Sequence, residues 1–222
     1  MQSERLDLER LWKDGYQLLN VPQGVCQSEL ERRKGTCHDA FLRFEGIRGK
    51  VVGLAITVES QLAGVLADYF CPVIQERENG TIAIEFFGPT TFRRFELIDY
   101  VLMRQHCSFA DKKNILSDLL DSIDTSVPSS CKKIDTKKVC NSLEWINTTR
   151  NKLAHRPVGI DFQTTQVSLW LAKLRNWEKI DPTLEDKYKV DVETARRLLT
   201  EVHAEVSRLQ REGDPRHAIP IK

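Results

Sequence analysis

The chain has 222 residues, 41% hydrophobic and 29% charged, with 11 Gly and 8 Pro. That composition excludes collagen-like, low-complexity and largely disordered chains and allows a sizeable core. Thirty-three Lys plus Arg stand against 32 Asp plus Glu, so attraction to a polyanion must come from a local patch rather than from overall charge. The amino end, Met1-Gln2-Ser3-Glu4-Arg5-Leu6-Asp7, is polar and carries acid. With no uninterrupted run of the roughly 18 apolar residues that a span needs, it predicts a cytoplasmic protein with no membrane association. Six cysteines, Cys26, Cys37, Cys71, Cys107, Cys131 and Cys140, include no Cys-x-x-Cys pair and read as free, mostly structural thiols.

Residues 1–45 read as a helical but irregular extension, broken at Val21-Pro22-Gln23-Gly24 and at Lys34-Gly35. From Gly53 to Phe70, Leu54, Ala55, Val58, Leu62, Val65, Leu66 and Tyr69 recur at helical steps, and Cys71-Pro72 closes the run, which predicts a long core helix. Glu59 borders that stripe, so its carboxylate is half buried and needs a cation; the partner is either a structural salt bridge or an Arg that Glu59 orients. Residues 72–92, with Glu78-Asn79-Gly80 and the alternating Thr81-Ile82-Ala83-Ile84-Glu85, predict a loop with one short strand. Helical spacing returns over Phe95–Met103 and Ser108–Ile123, and Asp124–Asp135 reads as a loop. Thr136–His155 is a further helix, with Val139, Leu143, Ile146 and Leu153 on one side and Arg156-Pro157 as its stop. Val158, Ile160 and Phe162 alternate, as do Val167, Leu169 and Leu171, which predicts a β-hairpin. Asp191 can cap a terminal helix with Val192, Ala195, Leu199, Val202, Val206 and Leu209 inward, and residues 213–222 read as a loose tail. The expected fold is mainly α: an extension over 1–45, a helical core over 46–157, the hairpin and last helix over 158–212 packed on it, and the tail.

The chemistry concentrates at the end of the Thr136–His155 helix, in Arg150-Asn151-Lys152-Leu153-Ala154-His155. Asn151 and His155 are four apart and share a helix face, whereas Arg150 falls on the apolar stripe, where a guanidinium is expensive without an anion. The imidazole of His155 could move a proton at the attacking or leaving oxygen of a phosphodiester. Arg150 could hold the phosphate through two parallel hydrogen bonds, and Asn151 could orient His155 or a ribose.

These residues resemble the signature of the HEPN superfamily (higher eukaryote and prokaryote nucleotide-binding domains), an Arg, a polar residue and a His at short fixed spacing. Arg150, Asn151 and His155 match it, and the resemblance covers roughly Lys50 to Pro157. It implies a helical bundle, a homodimer with two motifs facing across a cleft, no cofactor or metal, and metal-independent endoribonuclease activity by 2′-hydroxyl attack. Service as a toxin or defence effector goes with that, as do an antitoxin or a nucleotidyltransferase-type partner. Members that have lost catalysis act as binding or regulatory modules, a version in which Arg150 pairs with Glu59. Chance predicts roughly 0.4 bare Arg-x4-His matches in a chain of this composition, and roughly 0.01 once Asn must follow the Arg. Arg33 to His38 is such a bare match, with Gly35 inside it and no Asn.

Lys132, Lys133, Lys137, Lys138, Arg150, Lys152 and Arg156 outnumber Asp135 and Glu144 over residues 131–156, which makes Lys137, Lys138, Lys152 and Arg156 candidate RNA contacts. Trp145, Trp170 and Trp177 could stack bases or pack half-buried. Gly46-Ile47-Arg48-Gly49-Lys50 is too short for a phosphate loop, and Cys37-His38 and His106-Cys107 lack metal spacing.

Overall fold

A computed structural model describes residues 15–70, 77–78, 81–82, 97–103, 107–124 and 134–211. Cys71, Cys131, Lys132, Lys133, most of the 72–92 segment, most of the 124–135 loop and the tail 213–222 lie outside the described residues. The protein is mainly helical. In chain order come β1 (Tyr16–Leu19), α1 (Gln27–Phe70), β2 (Arg77–Glu78) and β3 (Thr81–Ile82), a π-helical turn (Leu97–Leu102), α2 (Phe109–Asp124), α3 (Thr136–His155), β4 (Val158–Asp161), β5 (Val167–Leu171), β6 (Asn176–Lys179) and α4 (Leu184–Arg211). Two compact units result. The first takes residues up to Gly53 together with Thr148–Lys189, and the second takes Leu54–Asn147 together with the residues from Val190 onward.

The first unit is built on a sheet of order β1-β4-β5-β6, with β1 parallel to β4 and the other pairs antiparallel. Its inner face carries Tyr16, Leu18, Val158, Ile160 and Leu169, all buried. Tyr16 meets Phe41 of α1 with ring centroids 4.9 Å apart. Leu30, Cys37, Ala40, Phe44 and Val51 complete the buried side of α1 at steps of three, four and seven. These contacts explain why α1 runs unbroken through Lys34-Gly35, where the sequence suggests an interruption. A helical Gly costs about 1 kcal/mol, which the burial of these side chains exceeds. The real break is at Gly24, whose φ of +82° ends the turn that separates β1 from α1.

Three other elements depart from expectation. Tyr16–Leu19 is a strand rather than part of a helical extension, because its partner β4 is more than 130 residues away in sequence. The hairpin gains a third strand, β6, whose residues Asn176-Trp177-Glu178-Lys179 lack apolar alternation. Helix α4 starts at Leu184, not at Asp191. Thr183 accepts the Lys187 N–H on its carbonyl, and the Asp181 carboxylate accepts from the Thr183 N–H and hydroxyl, so the cap, Thr183, lies eight residues upstream of Asp191.

In the second unit, four helical segments bury Ala55, Val58, Leu62 and Leu66 of α1, Leu116 and Leu120 of α2, Val139, Leu143 and Ile146 of α3, and Val192, Leu199 and Val202 of α4. Ser108 and Asp111 form a reciprocal capping box at the start of α2, and the Asp135 carboxylate accepts the Lys138 N–H at the start of α3. Contrary to the sequence reading, one 18-residue window of α1 reaches a mean hydropathy of 1.4 and is apolar enough to cross a membrane by length and composition. Its apolar residues Ala55, Val58, Leu62, Val65 and Leu66 are buried within the protein, and 44% of that window is buried. Among the described residues Cys26, Cys37, Cys107 and Cys140 are free thiols.

Glu59 has the cationic partner its position demands: it is ion-paired with Lys112 of α2, an ammonium left 1% exposed beside a carboxylate left 18% exposed. Removing one member leaves the other charge in the core. Glu59→Gln is expected to lower unfolding stability by roughly 3 kcal/mol, and Glu59→Gln/Lys112→Met to recover most of it. Urea midpoints check this, and an unmoved midpoint for Glu59→Gln contradicts it.

Asp161 ties the end of β4 to β1, accepting from Asn20 Nδ2 at 2.6 Å and from the Thr164 and Gln163 N–H groups. These bonds, Asn20 first, favour the ionised carboxylate and lower its pKa from 3.8 to about 2. A depressed pKa stabilises the fold above the unfolded value and is lost as pH falls through the folded one. The stability gap between wild type and Asp161→Asn should therefore hold at neutral pH and close between about pH 4 and about 2, as read by denaturation at stepped pH.

Candidate functional site at the end of α3

Pro157 disfavours helical geometry at Arg156 and stops α3 there, so the six residues of the motif occupy its last turns within the first unit. Leu153 points inward and is fully buried, while Asn151 and His155, two residues to either side, are exposed. Arg150 is half-buried, as its place on the apolar stripe requires. Its Nη1 donates to Asn151 Oδ1 at 3.0 Å, which draws the guanidinium toward the face that Asn151 and His155 share. Among the described residues no carboxylate is ion-paired with Arg150. The Glu59 carboxylate belongs to Lys112, so the Glu59–Arg150 pairing is replaced by a Glu59–Lys112 pairing.

Tyr188, in the first turns of α4, is fully buried. Burial pushes its phenol above the ordinary value, and the charge of Arg150 opposes that shift, so the two groups feel each other. Arg48 of α1 donates from Nη2 to the Arg156 carbonyl at 3.3 Å. It also pairs through Nη1 with Glu45 at 2.9 Å and lies over the Phe44 ring at 5.1 Å. The end of the motif helix is thereby pinned to α1 by a guanidinium capping one of its free carbonyls.

The candidate RNA contacts scatter. Lys152 is half-buried and bonded to Glu178 of β6 at 2.5 Å, Arg156 is half-buried, and Lys137 and Lys138 are exposed in the first turn of α3, which belongs to the second unit. Two cavities of the first unit, about 270 and 670 Å³, are lined by residues other than Arg150, Asn151 and His155. Among the described residues no group of three His, Cys, Asp or Glu side chains is placed to hold a metal ion.

Arg48 and Tyr188 were missed in the sequence. Arg48 sits in the Gly46–Lys50 segment, which draws attention only as a failed phosphate loop. Tyr188 precedes Val192, Ala195 and Leu199 by helical steps and would have been found by extending the α4 stripe one turn upstream. An Arg, an Asn and a His so placed can bind a phosphate, orient a ribose and exchange a proton. Compared with protein-family models, with curated proteins and with solved structures, the chain has no match.

Proposed function

We propose that the protein is a metal-independent endoribonuclease of HEPN type, acting in the cytoplasm as a homodimer and serving as a toxin or defence effector. The observation that carries this reading is the exposed His155 on the same helix face as Asn151, whose side chain holds the half-buried Arg150 guanidinium. Arg150 neutralises the phosphate as charge grows on its oxygens. His155 transfers the proton at the attacking 2′-oxygen or at the leaving oxygen, and Asn151 keeps Arg150 turned to the surface. A second copy, motif facing motif, supplies the opposite wall of a cleft over the exposed Asn151 and His155.

A regulatory HEPN-type module, paired with an antitoxin or a nucleotidyltransferase-type partner, is the second reading. It is favoured by the engagement of Lys152 with Glu178, which takes one motif cation away from RNA.

The purified chain is expected to cut single-stranded RNA in EDTA and to leave a cyclic phosphate. His155→Ala should lower the rate by roughly 10²–10⁴, and Arg150→Lys should lower it by at least roughly 10-fold, since a lysine cannot make the bidentate contact. Gel assays of labelled RNA check both. Intact RNA with wild-type protein, or full activity in His155→Ala, removes the nuclease and leaves the regulatory reading.

A further inference from the structure

The sheet of the first unit has two faces, and the motif uses only one. Tyr16 and Leu169 lie on the inner face, where α1 packs through Phe41 and where Glu178, paired in register with Leu169, reaches Lys152 of α3. Gly159, Ser168, Trp170, Trp177 and Lys179 alternate to the other face. There Trp170 and Trp177 stand directly opposite each other with ring centroids 5.3 Å apart in an edge-on arrangement, both half-exposed. Trp177 covers Gly159: a Cβ at that position would lie 2.7 Å from the indole Cζ3 and 2.8 Å from Leu19 Cδ1, so the glycine is what lets the indole settle on the strand.

Charge surrounds this pair on one side. Lys179 projects from the same face at the edge strand, and Lys173 and Arg175 are exposed in the turn that joins β5 to β6. Arg175 holds a φ of +49°, a left-handed conformation in which glycine or asparagine is the ordinary choice. Glu178 is the one acidic residue between Val167 and Lys179, and its carboxylate is bonded to Lys152 on the inner face. The outer face therefore combines two indoles with cations that form no ion pair among the described residues, while its one carboxylate, Asp161 at the end of β4, is held by Asn20 and Thr164.

We propose that this outer face, Trp170 and Trp177 with Lys173, Arg175 and Lys179, is a binding platform for single-stranded RNA. Aromatic side chains on a sheet stack unpaired bases, and flanking cations neutralise the backbone between them. The choice of RNA rests on the endoribonuclease reading; the platform supplies affinity and the end of α3 supplies chemistry. Because β6 is the edge strand, a chain lying on the indoles reaches the motif side by passing around that edge.

The test uses the full chain carrying His155→Ala, which keeps RNA intact, and a short fluorescein-labelled oligouridylate read by anisotropy. Replacing Lys173, Arg175 and Lys179 by Glu, all at exposed positions, is expected to weaken binding at least about 10-fold and to flatten the slope of log K against log salt by about 2, the value for three lost phosphate contacts on a single strand. Trp170→Leu should weaken binding roughly 10-fold while Trp170→Phe stays within about threefold, because Phe retains a stacking surface. Equal affinity of the triple variant and its parent overturns the platform, as does polyglutamate binding as tightly as oligouridylate, which would mark the face as a site for an acidic polypeptide. Binding that the triple substitution removes upholds the platform even where wild-type protein leaves RNA uncut. Undiminished cleavage and binding by the triple variant on a His155 background overturn it and leave the nuclease standing.

Discussion

The last carbonyls of a helix have no donor within the helix, and here one of them decides where the motif stands. Arg48 takes the Arg156 carbonyl while its other amino group holds Glu45 and its plane covers Phe44. A side chain of α1 thus fixes both the end of α3 and the entry to β4, one residue beyond Pro157. His155 precedes that anchor directly, so its place on the surface follows from a contact made by an element more than 100 residues earlier. Arginine suits the task because its planar fork donates in two directions at once while its face packs on a ring; a lysine could occupy only one of these positions.

What was legible in the sequence and what was not follows the range of the interactions. Helix α3 has the bounds its apolar steps and Pro157 dictate, and α2 begins within one residue of where the helical spacing returns, because amphipathic stripes are local signals. The β4–β5 hairpin was equally plain from its alternation. Strand β1 was not: four residues, Tyr16-Gln17-Leu18-Leu19, become a strand only when β4 lies beside them. Strand β6 was hidden for a different reason. An edge strand with one face over helices and the other bearing Trp177 and Lys179 has no simple apolar alternation to read. The continuity of α1 through Gly35 is a tertiary effect, in which the burial of Leu30, Cys37, Ala40 and Phe44 overrides a poor local propensity.

The candidate site shows the same division. Arg150, Asn151 and His155 were legible because their spacing on one helix fixes which side each takes, and the burial of Leu153 between two exposed residues agrees with that geometry. The need of Glu59 for a cation was legible too, since a half-buried carboxylate in a core stripe demands one. Which cation was not. The sequence names Arg150 in one version and leaves the cation open in the other, and only the packing of α2 brings the Lys112 ammonium to the carboxylate.

A sheet covered by helices on one side and open on the other normally carries polar residues on the open side. Here the open side near β6 instead carries two indoles, a glycine recessed beneath one of them, and cations, one of them held in an unfavourable backbone conformation. Strand propensity accounts for a tryptophan on a sheet but not for an arginine at positive φ in the adjoining turn, where a glycine would relieve strain. Such departures from local preference concentrate where a surface is used. Dividing affinity from chemistry also fits the energetics of an enzyme on a polyanion. Contacts made equally to substrate and transition state hold the chain in place without raising the chemical rate, and they can be set on a rigid sheet, leaving the helix end with the few groups whose interactions strengthen as the phosphate is attacked.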